Sequence, residues 1–115
     1  MSVIEIDMKI VVADIIKSEL AIFHEEGLQV YALLSSALTR GEKAEISFKG
    51  IERCSTQFLN ASIGKLYLEF NPKDVDRFLS YKYGDVNLLR SKIAEVRDNA
   101  IHSKDYDQFV GNALA

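Results

Sequence analysis

From Gly41 to Leu66 the chain passes through a glycine stop, a short alternating strand, a second glycine, a hydroxyl cluster and an apolar helix. That order leaves few folds open. Ala44, Ile46 and Phe48 alternate with Glu45 and Ser47, the period-two pattern of a half-buried strand, which Lys49-Gly50 ends. Ser55-Thr56-Gln57 then open a helix whose apolar positions are Leu59, Ile63, Leu66 and Phe70. A strand feeding a helix through a short turn is the repeating unit of a parallel sheet, and the hydroxyls stand where such a sheet presents functional groups. A helix start also favours a phosphate or carboxylate, because its first N–H groups lack partners within the helix.

The flanking segments extend this pattern. Ile4, Ile6, Met8 and Ile10 alternate with charged residues and predict a strand over Ile4–Val12. Residues 13–24 admit two readings, a short strand at Ala21-Ile22-Phe23 or an approach to the next helix. Leu28, Tyr31, Leu34 and Leu38 are spaced for a helix from about Glu25 to Arg40, with Gly41 as its stop. Asn71-Pro72 with Asp74 reads as a helix start, whereas Leu79, Tyr81 and Tyr83 alternate as a strand. The expected order is therefore a short turn of helix, then a strand ended by Gly84-Asp85. Val86, Leu89, Ile93, Val96 and Ala100 form the clearest helical stripe. Asp105 with Gln108 resembles a capping box for a separate C-terminal helix packing Phe109, Val110 and Leu114. Gly64, inside a helix, costs roughly 1 kcal/mol against alanine and so predicts a close backbone approach.

Strands alternating with helices imply a single small α/β domain over residues 1–115, with parallel strands. The strands Ala44–Phe48 and Leu79–Tyr83 are expected to be parallel neighbours, since the helix between them is a crossover of ordinary length. The long, regular strand Ile4–Val12 is expected to be covered by a partner or by a second copy in a homodimer.

Composition narrows the function classes. A hydrophobic share of 48% and a charged share of 27% suit a folded domain. The net charge is −3 with scattered lysines and arginines, which gives no footprint for nucleic acid. No apolar run approaches the ~18 residues of a membrane span. The start lacks a signal-peptide layout, and the single cysteine, Cys54, has no internal disulfide partner; a cytoplasmic setting is expected.

Few residues carry chemistry. Ser55 reads first as a helix N-cap, and Ser55 and Thr56 read second as phosphoacceptors. Cys54 would need His24 or His102 as a base, and neither stands in a recognisable signature, so it reads as a packing residue. His24-Glu25-Glu26 reads as an acidic helix start, His102 as a helix C-cap, and Tyr81 and Tyr83 as strand core. No metal-ligand spacing and no phosphate-binding glycine loop is present, so neither metal nor cofactor is expected, nor an enzyme.

The segment Gly41-Glu42-Lys43-Ala44-Glu45-Ile46-Ser47-Phe48-Lys49-Gly50 continues into Ser55-Thr56-Gln57-Phe58-Leu59 and Ile63-Gly64-Lys65-Leu66. Together these resemble the bacterial STAS-like family of unknown function, a distant relative of the sulfate-transporter and anti-sigma-factor-antagonist domain. Gly27 and its helix also fit, and residues 27–70 carry most of the likeness. The resemblance implies a sheet with helices on one side and a regulatory role through a protein partner, a histidine-kinase-like ATPase among the candidates. By register Thr56 falls on the serine that relatives phosphorylate, and Ser55 on the acidic residue before it. Ser47 replaces a common strand aspartate, and Asn60 and Ala61 occupy positions often acidic in the family.

The sequence thus points to a regulatory, protein-binding, partner-switching module. Its surface would be Arg53, Ser55, Thr56, Gln57 and Asn60, switched by charge on Thr56. The alternative is a small-molecule or nucleotide-binding module using the same helix start.

Overall fold

The computed structural model describes the backbone of residues 5–114 and the side chains of residues 5–103. Strand β1 (Met8–Val11) leads into the short helix α1 (Val12–Ile16) and strand β2 (Leu20–Ala21). Helix α2 (His24–Thr39) and strands β3 (Ala44–Ser47) and β4 (Arg53–Cys54) follow. A long central helix comprises α3 (Thr56–Leu59), a π-helical segment (Asn60–Gly64) and α4 (Lys65–Glu69). Helix α5 (Pro72–Phe78), strand β5 (Leu79–Lys82) and helix α6 (Leu89–Leu114) complete the described chain.

β1, β3 and β5 form an all-parallel sheet in that order, with Ile10, Ile46 and Tyr81 in register. The expected neighbours Ala44–Phe48 and Leu79–Tyr83 are therefore paired and parallel. A second parallel pair joins β2 to β4. Alternation decides which face is covered: Ile10, Ala44, Ile46 and Leu79 are buried beneath helices, α2 lying on β1 and β3. Lys9, Glu45 and Lys82 point the other way and line an open concavity.

The central helix is buried on more than the single stripe that its spacing implies. Phe58, Leu59, Ala61, Ile63, Leu66 and Tyr67 all lie in the core, because α2 packs against one side of this helix and α6 against another. Gly41 ends α2 as expected. Its φ is +69°, and Glu42 N–H donates to the Ala37 carbonyl (2.9 Å) while Gly41 N–H donates to that of Leu38 (3.0 Å), a Schellman cap. Asn71 caps α5 through Lys73 N–H (2.9 Å), and β5 follows without a break.

Four expectations need correction. Of the strand expected over Ile4–Val12, the described residues pair regularly only at Met8–Val11: the Asp7 carboxylate accepts Lys43 N–H (2.9 Å) ahead of the strand, and Val12 begins α1. Residues 1–4 lie outside the described residues. The helix expected from Val86 begins at Leu89, because Leu88 takes φ +60° and leaves Val86 packed on the core ahead of the first turn. No break separates a C-terminal helix: α6 runs through Asp105 and Gln108 to Leu114, while the expected packing of Phe109, Val110 and Leu114 lies outside the described side chains. His102 accordingly sits within α6, its Nδ1 lying 2.9 Å from the Asp98 carbonyl, and caps no end.

Candidate functional site

The site starts from β2 and β4, two-residue strands that deliver α2 and α3 side by side. Ser55 joins them. Its N–H donates to the Ala21 carbonyl (2.9 Å), and its hydroxyl donates to the Ile22 carbonyl (2.5 Å) while accepting Phe58 N–H (3.0 Å). The hydroxyl is an N-cap and a staple between helix starts, fully engaged in both roles.

The two helix starts differ in charge. α2 carries Glu25 and Glu26 in its first turn, and the Glu26 carboxylate accepts Phe23 N–H. α3 has no acid in its first turn, so its positive end faces outward without a compensating carboxylate. Thr56 is the first residue of that helix and is exposed, as are Arg53, Gln57 and Asn60.

Two concavities flank this helix start. On the α2 side, His24, Leu28, Gln57, Asn60, Lys65 and Leu68 line a groove of about 630 Å³, floored by Ala61. The two helices that wall it meet through a glycine. A Cβ on Gly27 would lie 2.6 Å from the Phe58 carbonyl oxygen and 2.7 Å from the Ala61 Cβ, so only glycine lets α2 approach this closely. At that contact the central helix widens to π geometry, which exchanges i→i+4 bonds for i→i+5 bonds. The buried Ser62 hydroxyl donates to the Phe58 carbonyl (2.9 Å), supplying it with a side-chain donor beside the widened turn. The close backbone approach expected at Gly64 therefore occurs at Gly27. Gly64 makes room for a side chain, with Val96 Cγ1 at 3.1 Å from where its Cβ would be.

On the α6 side, Arg53, Cys54 and Ser55 join Ile22, Glu52, Val86, Asn87 and Lys92 around a smaller hollow of about 340 Å³. Cys54 is buried, and burial pushes its thiol up to about 12 despite the opposing influence of the Lys92 ammonium. A thiol so held stays un-ionised near neutrality, whereas the thiolate is the nucleophilic form.

The five residues singled out from sequence thus meet at one helix start and divide between its flanks. Gln57 and Asn60 face the groove, Arg53 and Ser55 face the hollow, and Thr56 stands in the first turn. Sequence reading missed Gly27 as a packing site, and it missed His24 and Lys92 as flanking groups. The signal for Lys92 was available: it lies one position before Ile93 on the strongest stripe, so it borders the buried face of α6.

Among the described residues no group of three or more His, Cys, Asp or Glu side chains comes together as a metal site. No described helix is long and apolar enough to cross a membrane.

No curated protein and no solved structure matches this chain significantly. The family model described as a STAS-like domain of unknown function (DUF4325) matches residues 26–87, which take in most of α2, the central helix, β3 to β5 and all five candidate residues. That match spans more than half of the chain, and the protein belongs to this STAS-like family.

Proposed function

We propose that this STAS-like domain is a regulatory module that binds another protein through the start of its central helix and is switched by phosphorylation at Thr56. A STAS-like domain points in general to regulation or binding. The observation that carries the finer reading is the contrast between adjacent hydroxyls. Ser55 has its hydroxyl committed to Ile22 and Phe58, whereas Thr56 is exposed at the first position of a helix with no acid in its first turn. A phosphate on Thr56 would meet the positive end of the helix and leave the Ser55 staple intact; one on Ser55 would remove the proton that its hydroxyl donates to the Ile22 carbonyl.

The added charge changes recognition rather than folding. Arg53, Gln57 and Asn60 surround Thr56 with exposed polar groups that suit a protein surface. A dianion introduced there repels a neutral or acidic partner and recruits an arginine-lined one. The partner proposed is a histidine-kinase-like ATPase, which would supply the phosphoryl group.

The test is recovery of one purified partner by wild type, Thr56→Ala and Thr56→Glu, with circular dichroism as a fold control. Retention by Thr56→Ala and loss by Thr56→Glu is the expected pattern. Equal recovery by all three would remove the switch.

The 630 Å³ groove favours one second reading, a small-molecule module using the same helix. Its lining of leucines with Gln57, Asn60 and Lys65 suits a ligand with an apolar body and a polar edge. Asn60→Leu should then abolish ligand-induced thermal shifts in a metabolite screen, whereas Thr56→Glu should leave them unchanged.

A further inference from the structure

We infer that the open face of the β1-β3-β5 sheet is a binding site for a small phosphate-bearing anion, separate from the helix start. The sheet is all-parallel, and such sheets are ordinarily covered on both faces. Here the second face carries no helix among the described residues. In its place a concavity of about 470 Å³ is lined by Lys9, Val11, Glu45, Ser47, Lys49, Lys82, Gly84 and Asp85. Most of these residues lie at the carboxyl ends of the strands or in the loops just beyond, where ligands of parallel sheets bind.

Three ammonium groups meet two carboxylates in this hollow. Lys82 and Glu45 form an ion pair at 3.8 Å, with Glu45 much the more buried of the two. Lys9, opposite Glu45 in the ladder, and Lys49 form no salt bridge among the described residues. The excess of cationic groups is set into a hollow rather than spread on a convex surface, and a phosphate is the compact anion that several lysines can share.

The position of Lys49 is built by the backbone. Phe48 to Ile51 form a tight turn closed by Ile51 N–H to the Phe48 carbonyl (3.0 Å), with Gly50 at φ +84° in the third position, as a type II turn requires. Gly84, at φ +64°, lies so close that a Cβ would come within 2.8 Å of the Phe48 carbonyl oxygen. These two glycines hold the Lys49 turn against the end of β5, beside Lys82 and Asp85. A volume of this size accommodates a phosphorylated metabolite or a nucleotide phosphate chain.

The probe is inorganic pyrophosphate, titrated at low ionic strength into ¹⁵N-labelled wild-type protein. Saturable shifts are expected at the amides of residues 9–11, 47–50 and 82–85. The double variant Lys9→Ala/Lys49→Ala, at two exposed positions, should weaken binding by about tenfold or more while its unliganded spectrum stays folded. Arg53→Ala should leave the titration unchanged. Shifts that fail to saturate, that survive the double variant, or that centre on residues 53–57 would each overturn the site; the last would move anion binding to the helix start. Loss of the Thr56 switch would leave this result untouched, because the two sites share no residue.

Discussion

The central helix is gripped by two neighbours that use different physics. α2, most of it inside the family match, meets it backbone to backbone, through Gly27 against the Phe58 carbonyl and Ala61. α6 begins just beyond the matched residues and meets it side chain to side chain: Val96 fills the space over Gly64, and Leu89, Ile93 and Ala100 are buried. α6 adds a polar clasp. Arg97 donates to both carboxylate oxygens of Asp76 (3.0 and 2.7 Å), and the buried Tyr67 hydroxyl donates to the same carboxylate (2.5 Å). A backbone contact tolerates no added atom, whereas a side-chain contact can repack. The α2 contact should therefore be all-or-none and the α6 contact adjustable.

Gly27→Ala attacks the first contact and should have the largest effect. The new methyl overlaps a backbone oxygen that cannot move alone, and a loss of about 3 kcal/mol or more, or failure to fold, is expected in urea denaturation. A loss below about 1 kcal/mol would mean that the helices can separate, and the comparison would fail.

Asp76→Ala attacks the clasp and should cost about 1–2 kcal/mol. Most of that comes from the Tyr67 hydroxyl left without its acceptor, since the partly exposed Arg97 pair contributes little in water. The clasp also predicts a pH dependence. Hydrogen bonding from Arg97, assisted by Tyr67, holds the Asp76 carboxyl below its ordinary range. A depressed pKa contributes stability that is present above the unfolded value and lost as the pH falls through the folded one. Below about pH 4, Asp76→Asn should therefore show a flatter stability profile than wild type in thermal melts.

Ser55→Ala removes the staple between the helix starts and should cost about 1 kcal/mol. Thr56→Ala should cost less than about 0.5 kcal/mol, as expected of an exposed residue whose side chain has no described hydrogen bond. If the two proved equal in urea titrations, the division of labour between these hydroxyls would be lost.

Gly64→Ala should have the smallest net effect. The better helix propensity of alanine, worth up to ~1 kcal/mol, opposes a 3.1 Å contact with a Val96 methyl that can shift. A large destabilisation would show that α6 is as rigidly seated as α2.

The contrast also explains what was readable beforehand. Strands with one buried face announce themselves by alternation, so β3 and β5 and their parallel pairing follow from Ala44-Ile46-Phe48 and Leu79-Tyr81-Tyr83. Caps made by a residue and its immediate neighbours, at Gly41, Ser55 and Asn71, are local and were equally legible. Gly27 was opaque as a contact because its meaning lies 31 residues away in Phe58, and a glycine carries no pattern of its own. Val86 continues the apolar stripe of α6 yet packs outside the helix, since the left-handed turn at Leu88 leaves no trace in hydrophobic spacing. The candidate residues were found together because they lie within eight consecutive positions, 53–60. Lys92 and His24 were missed because only the tertiary fold brings them near.

The widened turn at Asn60–Gly64 fixes an angular phase between the two ends of the central helix. Ahead of it lie Ser55 and Thr56, and behind it Leu66 and Tyr67 meet α5 and α6. Wound as ordinary α-helix, the same five residues would swing one end relative to the other by about the 100° of a single residue. The spacing Leu59-Ile63-Leu66 would then address the wrong neighbours. The width of this turn is thus a coordinate of the protein in its own right, fixing which way the helix start faces once its far end is seated.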